Sequence, residues 1–360
     1  MSFQLPELDY LPTRPANAEF GIGLIGAGYI AEIGHVPAFM KARYRLVAAA
    51  DSSEERRDYC RQVASIDKVF ADYRALLDLQ EVEIVDITVP QSSPHKIGMV
   101  HDAIDAGKHV LVEKPLAMDY QEAKAVVEHA RRAGVKLAIC HQYRWIPVFR
   151  AIKNLIDQGY LGDLFMLSMD ERRSYDYPDK YYNEQPRWLL FMNVIHFVDQ
   201  FRWWTGREPT QVFASLSRRP EQYARGEMVG TLVLEFDDDL RATYVGNDAT
   251  HPQSQYHHMC LEGTGGVINA NFDNLFGPGG LEYIPAQSEA LWYRPRLEGR
   301  GFPDGFIGLM GDLMQAVAEG REPAVSGADN LKTLQIIFAG YKSDETSRAV
   351  TLAEIDPELS

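Results

Sequence analysis

The chain is poor in cysteine, in positive charge and in long apolar runs, and each shortage removes a class of explanation. Only three cysteines occur, Cys60, Cys140 and Cys260. They lie far apart and lack CxxC spacing, which argues against a disulfide framework or a thiolate metal site, so no metal is expected. Lysine and arginine total 36 against 51 aspartates and glutamates, a formal charge of −15. A field of that sign repels a polyanion, and no basic stretch reverses it locally, so nucleic acid is not an expected partner. No uninterrupted apolar run approaches the ~20 residues of a membrane span. The opening MSFQLPELDYLPTRPANAE has no apolar core behind a positive flank and does not read as a signal peptide. The expectation is a soluble, cytoplasmic protein with no membrane partner.

What is present is pattern. A chain of 360 residues suits two domains better than one core. In its first part, apolar runs at Phe20 to Ile25, Leu46 to Ala50, Ile84 to Thr88, His109 to Val112 and Lys136 to Cys140 alternate with helical spacings. In Tyr120 to Ala133 the apolar positions are Ala123, Val126, Val127 and Ala130, one face of a helix. Strands alternating with helices predict a parallel sheet with right-handed crossovers. The second part changes character. A helix over Ile146 to Gln158 leads to a strand at Leu164 to Met169, and an apolar helix runs from Trp188 to Trp204. Strand-like runs follow at Gln211 to Leu216, Gly230 to Phe236 and Arg241 to Val245, which predict an antiparallel or mixed sheet. Helical patterns at Phe306 to Glu319 and Asp329 to Tyr341 close the chain.

The first strand ends in Gly26-Ala27-Gly28-Tyr29-Ile30-Ala31, a GxGxxA pattern. Gly26 permits a tight turn, Gly28 lets the backbone approach a pyrophosphate, and Ala31 keeps the helix close to the sheet. A glycine pattern alone also describes a plain strand-to-helix turn. Here a strand precedes it, a helix follows, and Asp51 ends the second strand, a combination that reads as dinucleotide binding. The Asp51 carboxylate can accept from the adenosine ribose and repels a 2′-phosphate, which favours NAD over NADP. Arg56 and Arg57, beside Glu54 and Glu55, read as a solvated helix face.

The run Gly107-Lys108-His109-Val110-Leu111-Val112-Glu113-Lys114-Pro115 resembles the glucose-fructose oxidoreductase, inositol dehydrogenase and rhizopine catabolism family (Gfo/Idh/MocA). The likeness continues through His35-Val36-Pro37-Ala38, Pro94-His95, Tyr143-Arg144, Gly159 to Gly162, His196-Phe197-Val198-Asp199 and Gly320 to Gly327, and so covers nearly the whole chain. It implies an α/β architecture: an N-terminal Rossmann domain with a doubly wound parallel sheet, and a C-terminal α+β domain with a large open-faced mixed sheet. The expected division is 1–142 for NAD and 143–360 for substrate binding and oligomerisation, as a homodimer or homotetramer through the second sheet. The resemblance also implies hydride transfer between nicotinamide and a secondary alcohol of a cyclic sugar or polyol. Candidate cofactor contacts are Gly26, Gly28, Tyr29, Ile30, Asp51, Pro90, His95, Glu113 and Lys114.

Lys114 follows a parallel strand, at the end where ligands bind in such sheets. Its ammonium can hold the reacting hydroxyl and stabilise alkoxide character as hydride leaves. A lysine snorkelling at a strand end is the plainer alternative. His196 has an unperturbed pKa near neutrality and can take the hydroxyl proton, although a helical histidine is often simply a core residue. The resemblance to the family's HxxD element favours catalysis, while Asp199 reads better as a packing hydrogen bond. Many members carry an aspartate four residues before this histidine, after a run of glycines. This chain has Met192 there, with Pro186-Arg187-Trp188 in place of the glycines. The neighbouring Asn193 can position a hydroxyl but cannot take its proton, so the two-member relay does not carry over intact.

Further substrate candidates are Tyr143, Arg144, Arg173 and Tyr175. The aromatic and charged stretch from Asp170 to Arg187 suits a sugar's C–H faces and hydroxyls, and equally an ordered loop or a subunit contact. Arg144 also reads as a structural residue. His251, His257 and His258 lack a carboxylate constellation and read as strand-face residues rather than metal ligands. Three functions remain: a sugar or inositol dehydrogenase, a glycoside-cleaving enzyme that uses transient oxidation to drive elimination, and a non-catalytic NAD-binding regulator. Retention of both Lys114 and His196 speaks against the last.

Overall fold

Strand β1 (Gly21–Ile25) is buried along its whole length, as a strand covered on both faces must be. In the computed structural model, which describes residues 6–359 except 13, 17, 273–274 and 288–290, it lies within a six-stranded parallel sheet. Its partners are β2 (Arg45–Ala50), β3 (Lys68–Phe70), β4 (Ile84–Ile87), β5 (His109–Val112) and β6 (Leu137–Ile139), in the order β3-β2-β1-β4-β5-β6. Strand order reverses between β1 and β4, the switch point at which such sheets bind nucleotides. The crossovers carry a π-helical turn (Ala31–His35) that runs into α1 (Val36–Ala42), then α2 (Glu54–Gln62), α3 (Arg74–Leu77), α4 (Lys96–Asp105) and α5 (Tyr120–Ala133). Helix α5 shows how local sequence sets an element. The Asp119 side chain caps it by accepting from Glu122 N, Ala123, Val126 and Ala130 form its buried stripe, and Gly134 ends it at φ 72°.

The second sheet follows α6 (Pro147–Asp157) and contains β7 (Leu164–Arg172). A second π-helical turn, Leu190–Val194, leads into α7 (Ile195–Thr205). Next come β8 (Gln211–Ser217), β9 (Val229–Glu235), β10 (Arg241–Asn247), β11 (Tyr256–Gly263), β12 (Gly266–Asn271) and β13 (Gly280–Pro285). Helices α8 (Asp304–Glu319) and α9 (Gly327–Thr346) precede the short strand β14 (Val350–Thr351). The eight strands are ordered β13-β12-β11-β7-β10-β9-β8-β14, with β7 and β10 parallel and the other neighbours antiparallel. Alternation is clean. Ala242, Tyr244 and Gly246 of β10 are buried while Arg241, Thr243 and Val245 face the other way. On the covered face Phe197 of α7 stacks on Tyr244 at 5.7 Å. On the open face Phe213, Val245 and Tyr256 are each more than a third exposed. The expected Rossmann sheet and mixed open-faced sheet are both present.

The described residues divide into two compact units. One comprises the described residues of 12–145 and 302–331, the other those of 6–11, 146–301 and 332–359. Helix α8 therefore belongs with the Rossmann sheet, although it follows the second sheet in the chain. It packs closely on the first π turn: the His35 and Phe306 rings lie 4.4 Å apart, and a Cβ on Gly34 would come within 2.5 Å of Phe306. Among the described residues no helix is long and apolar enough to cross a membrane.

Candidate active site

The loop after β1 is built around two glycines with different duties. Gly26 has φ +89°, a left-handed conformation that disfavours other residues. Its carbonyl accepts from Thr88 Oγ1 at 2.5 Å and its N–H donates to Ala50 O at 2.8 Å. Gly28 faces open space, with nothing within 4 Å of where a Cβ would sit. Ala31 is fully buried against Leu24, Ala49 and Cys60, the close helix-to-sheet packing expected of its small side chain. Asp51 links the loops that end β1 and β2: Oδ2 accepts from Ala27 N and Oδ1 from Ser53 N, each at 2.8 Å. A carboxylate oxygen has two lone pairs, so both can also accept a ribose hydroxyl. Arg56 is paired with Glu32 at 2.9 Å, and Arg57 holds Glu54 and the Asp51 carbonyl. These residues fit a dinucleotide: an unobstructed glycine at a helix start and a carboxylate at the ribose position. Of the other candidates, Tyr29, Pro90 and His95 are exposed and Ile30 and Lys114 half-buried.

Around Lys114 lies a buried cluster of charge that the sequence reading did not assemble. The Lys114-Pro115 bond is cis. Glu113, just before it, meets His35 Nε2 at 3.0 Å, and His35 Nδ1 meets Asp86 of β4 at 2.8 Å. Burial opposes charge on the His35 ring, but the Asp86 carboxylate and the bonds to Asp86 and Glu113 outweigh it and raise its pKa to about 9. Burial also pushes Glu113 up, yet the bond and charge of His35, with the charge of Lys114, hold it below its usual range. The three groups thus favour charge on the His35 ring and on Glu113, while burial pushes the Asp86 carboxyl up against the pull of His35. His35, Glu113 and Cys140 stand close enough to hold a metal ion. However, Nε2 already bonds Glu113, and burial raises the Cys140 thiol well above its ordinary value, so the group is satisfied as it stands. Asp86, a carboxylate inside an apolar strand run, is a signal the chain carries and the sequence reading did not use; His35 gave none beyond the family pattern, and Lys96 gave none.

In the second unit the ends of β7 and β10 converge on the second π turn. Arg173 Nη1 donates to Asn193 Oδ1 at 2.8 Å, and its other nitrogen donates to the Tyr175 hydroxyl. Asn193 Nδ2 donates to Asp248 Oδ2, which also accepts from Trp188 Nε1 at 2.8 Å. Behind them Glu171 accepts from Tyr244 at 2.7 Å and lies 3.3 Å from His257 Nε2. Burial raises Asp248 to about 7, Glu171 adding to the shift and Arg173 opposing it. The structure thus joins Arg173, Tyr175 and Asn193, and adds Asp248, Glu171 and His257, which sequence reasoning did not place together.

His196 and Asn193 are buried and Met192 is half-buried. Met192 and Asn193 lie in the π-helical turn Leu190–Val194, which is wider than an α-helical turn, and His196 follows at the start of α7. Asp199 is fully buried and accepts from Thr333 Oγ1 at 3.3 Å. Tyr143 is buried, and Arg144 donates to Ala324 O and Asp329 Oδ2, both at 2.7 Å. Asp176 anchors a loop, accepting from Tyr223 N, Ala224 N and Arg219. Strand alternation sends His257 inward and His258 outward, and His251 caps a short 3-10 turn, so the three histidines form no common site.

Residues 20–141 match the oxidoreductase family with an NAD-binding Rossmann fold, and residues 149–269 match the GFO/IDH/MocA C-terminal domain. The chain is 26% identical over 356 residues to the D-apiose dehydrogenase of Paraburkholderia graminis, covering 96% of this chain and 93% of that one. It is 26% identical to the myo-inositol 2-dehydrogenase of Thermotoga maritima, covering 93% and 99%. The crystal structure of an oxidoreductase from Agrobacterium radiobacter in complex with NAD+, L-tartaric acid and magnesium superposes with a TM-score of 0.83 at 22% identity, covering 94% of this chain and 99% of that one, a likeness of fold. With its nucleotide-binding half and its sheet domain both matched, the chain belongs to the Gfo/Idh/MocA family of NAD-binding oxidoreductases.

Proposed function

We propose that this oxidoreductase uses NAD to oxidise a secondary alcohol of a cyclic sugar, a sugar derivative or an inositol to the ketone, reversibly. The observation that carries the reading is the placement of Lys114. It lies just past β5, after Glu113, two strands from the glycine loop of β1, on a turn held by buried charge. The names of the relatives, an apiose and an inositol dehydrogenase, support the same substrate class. Gly26, Gly28 and Asp51, with Tyr29, Ile30, Pro90, His95 and Glu113, would hold NAD, which would supply the hydride acceptor.

In this reading the Lys114 ammonium donates to the reacting oxygen and stabilises the negative charge that grows on it. His196 takes the hydroxyl proton. Arg173, Tyr175 and Asn193 present donors and an acceptor to the other hydroxyls, with Met192 and Tyr143 as apolar and aromatic surface. Arg144 serves the fold through Ala324 and Asp329. The proposed division of labour is 1–142 for NAD and 143–360 for substrate and subunit contacts, except that Phe302–Leu331 packs with the Rossmann unit, in a cytoplasmic homodimer or homotetramer built on the open sheet face.

The test is NADH formation across a panel of sugars and inositols, followed by two variants on the substrate found. Lys114→Ala and His196→Asn are each expected to lose about 10²–10⁴-fold in kcat while still binding NAD. Near-normal kcat in either variant removes that residue from the mechanism. Substrate cleavage without net NADH points instead to elimination through transient oxidation.

A further inference from the structure

Lys96 opens α4 and is only 3% exposed, whereas a lysine normally keeps its ammonium in water. Its Nζ donates to the carbonyl oxygen of Glu113 and, at 2.6 Å, to that of Pro115. These are the carbonyls on either side of Lys114. The turn is thus gripped twice: through its backbone by Lys96, and through the Glu113 side chain by His35, which Asp86 holds in turn. The start of a helix is a poor place for a cation, since the helix dipole is positive there. Burial adds a larger cost, one that an apolar residue of similar volume avoids.

We propose that Lys96 is a positioning residue for hydride transfer, tying down the two carbonyls that flank Lys114 so that the Lys114 ammonium meets the reacting oxygen at a fixed place. The proposal rests on the role given to Lys114 above. The groups facing Lys96 weigh, on balance, against its charge. Burial pushes its pKa down to about 7, with the Glu113 charge opposing and the Lys114 charge adding to the fall, and Cys140 is the remaining titratable neighbour. Even as the neutral amine it keeps two N–H bonds, one for each carbonyl. The glycine loop and Asp51, which hold the pyrophosphate and adenosine ends in the proposed reading, make none of these contacts, so loss of Lys96 acts more on turnover than on NAD affinity.

The test uses Lys96→Met and Lys96→Gln in the full-length protein, measuring kcat, substrate KM and the Kd for NAD by fluorescence titration. A displacement of about 1 Å in a reacting group costs up to ~10²-fold. Lys96→Met is therefore expected to lower kcat by roughly 10–100-fold with little change in the Kd for NAD. Lys96→Gln, which keeps two N–H donors on a shorter arm, should recover part of the loss. In a Lys114→Ala background Lys96→Met should add no further loss. Unchanged kcat in Lys96→Met, a parallel loss of NAD affinity, or a full additional loss in the double variant overturns the proposal. If Lys96→Met does not fold, Lys96→Gln decides: reduced kcat at unchanged NAD affinity supports positioning, and wild-type kcat overturns it. Lys114→Ala alone separates the two readings. If it keeps its turnover, the role of Lys114 fails; if it is inactive while Lys96→Met is normal, only the role of Lys96 fails.

Discussion

Asp51 is where a single side chain chooses the cofactor. Its two oxygens already order two loops, through Ala27 N and Ser53 N, so the carboxylate is fixed before any ribose arrives. The nearby guanidinium groups are paired with Glu32 and Glu54 and are not poised for a 2′-phosphate. The wild type is expected to use NAD with a higher kcat/KM than NADP. Asp51→Ala should lose about 10–100-fold with NAD, the worth of a hydrogen bond to a charged group, and much less with NADP. Equal or better use of NADP by the wild type overturns this choice. Met192 shows the other side of the same lesson. The family pattern puts a carboxylate there and this chain does not, yet the fold brings Asp248, from the end of β10, onto the neighbouring Asn193.

His35, Asp86 and Glu113 tie together three elements: the π turn before α1, strand β4 and the end of β5. Replacing His35 with Gln removes the partner of two buried carboxyl groups, Asp86 and Glu113, and breaking such a buried pair typically costs about 3–5 kcal/mol. The pH dependence follows from the direction of the shift. His35 has its pKa raised from 6.5 to about 9 on folding, so its stabilisation is fully present below 6.5 and is lost as pH rises through 9. The full amount is on the order of 3 kcal/mol. Lys96 runs the opposite way, since its pKa falls from 10.5 to about 7 and stability from that source rises with pH between those values. Both proteins keep Lys96, so subtracting the His35→Gln urea midpoints from the wild-type ones between pH 6 and 10 isolates the histidine. The difference should shrink toward high pH; one that is flat or grows is inconsistent with a buried imidazolium.

Among the described residues, alternate positions of the second sheet's strands point to a face that carries exposed side chains. Phe213, Val245 and Tyr256, on β8, β10 and β11, lie on that face and are more than a third exposed. A formal charge of −15 opposes casual association, so the oligomer proposed above would need a specific apolar contact. Light scattering is expected to give a dimer or tetramer. The pair Phe213→Glu and Val245→Glu should shift it toward monomer while leaving the NAD affinity of the Rossmann unit within about twofold, because a charge buried against an apolar face is costly. A monomeric wild type, or an oligomer indifferent to both changes, places the interface elsewhere.

Local chemistry made much of this protein legible in its chain. Tyr120 to Ala133 reads as a helix because cap, stripe and terminating glycine all agree. The strands of the parallel sheet are apolar enough to stand out, and Gly26, Gly28 and Asp51 carry their duties in their residue types. The short, half-exposed β3, and β12 and β13, were not read, since they lack the strong alternation that marks a strand from one sequence alone. The π turns were not legible either: each depends on one residue more per turn than an α-helix allows, a choice made by what the flanking helix must pack against. The assignment of α8 to the Rossmann unit rests on Gly34 and Phe306, which lie far apart in the chain. Lys96 is the clearest case. In sequence it is an ordinary lysine at a helix start, and only the return of β5 beside α4 buries it and supplies the two carbonyls it holds. Periodicity and side-chain type act over a few neighbouring residues and are written in the sequence; burial and charge pairing act across the fold, and exist only once distant segments have met.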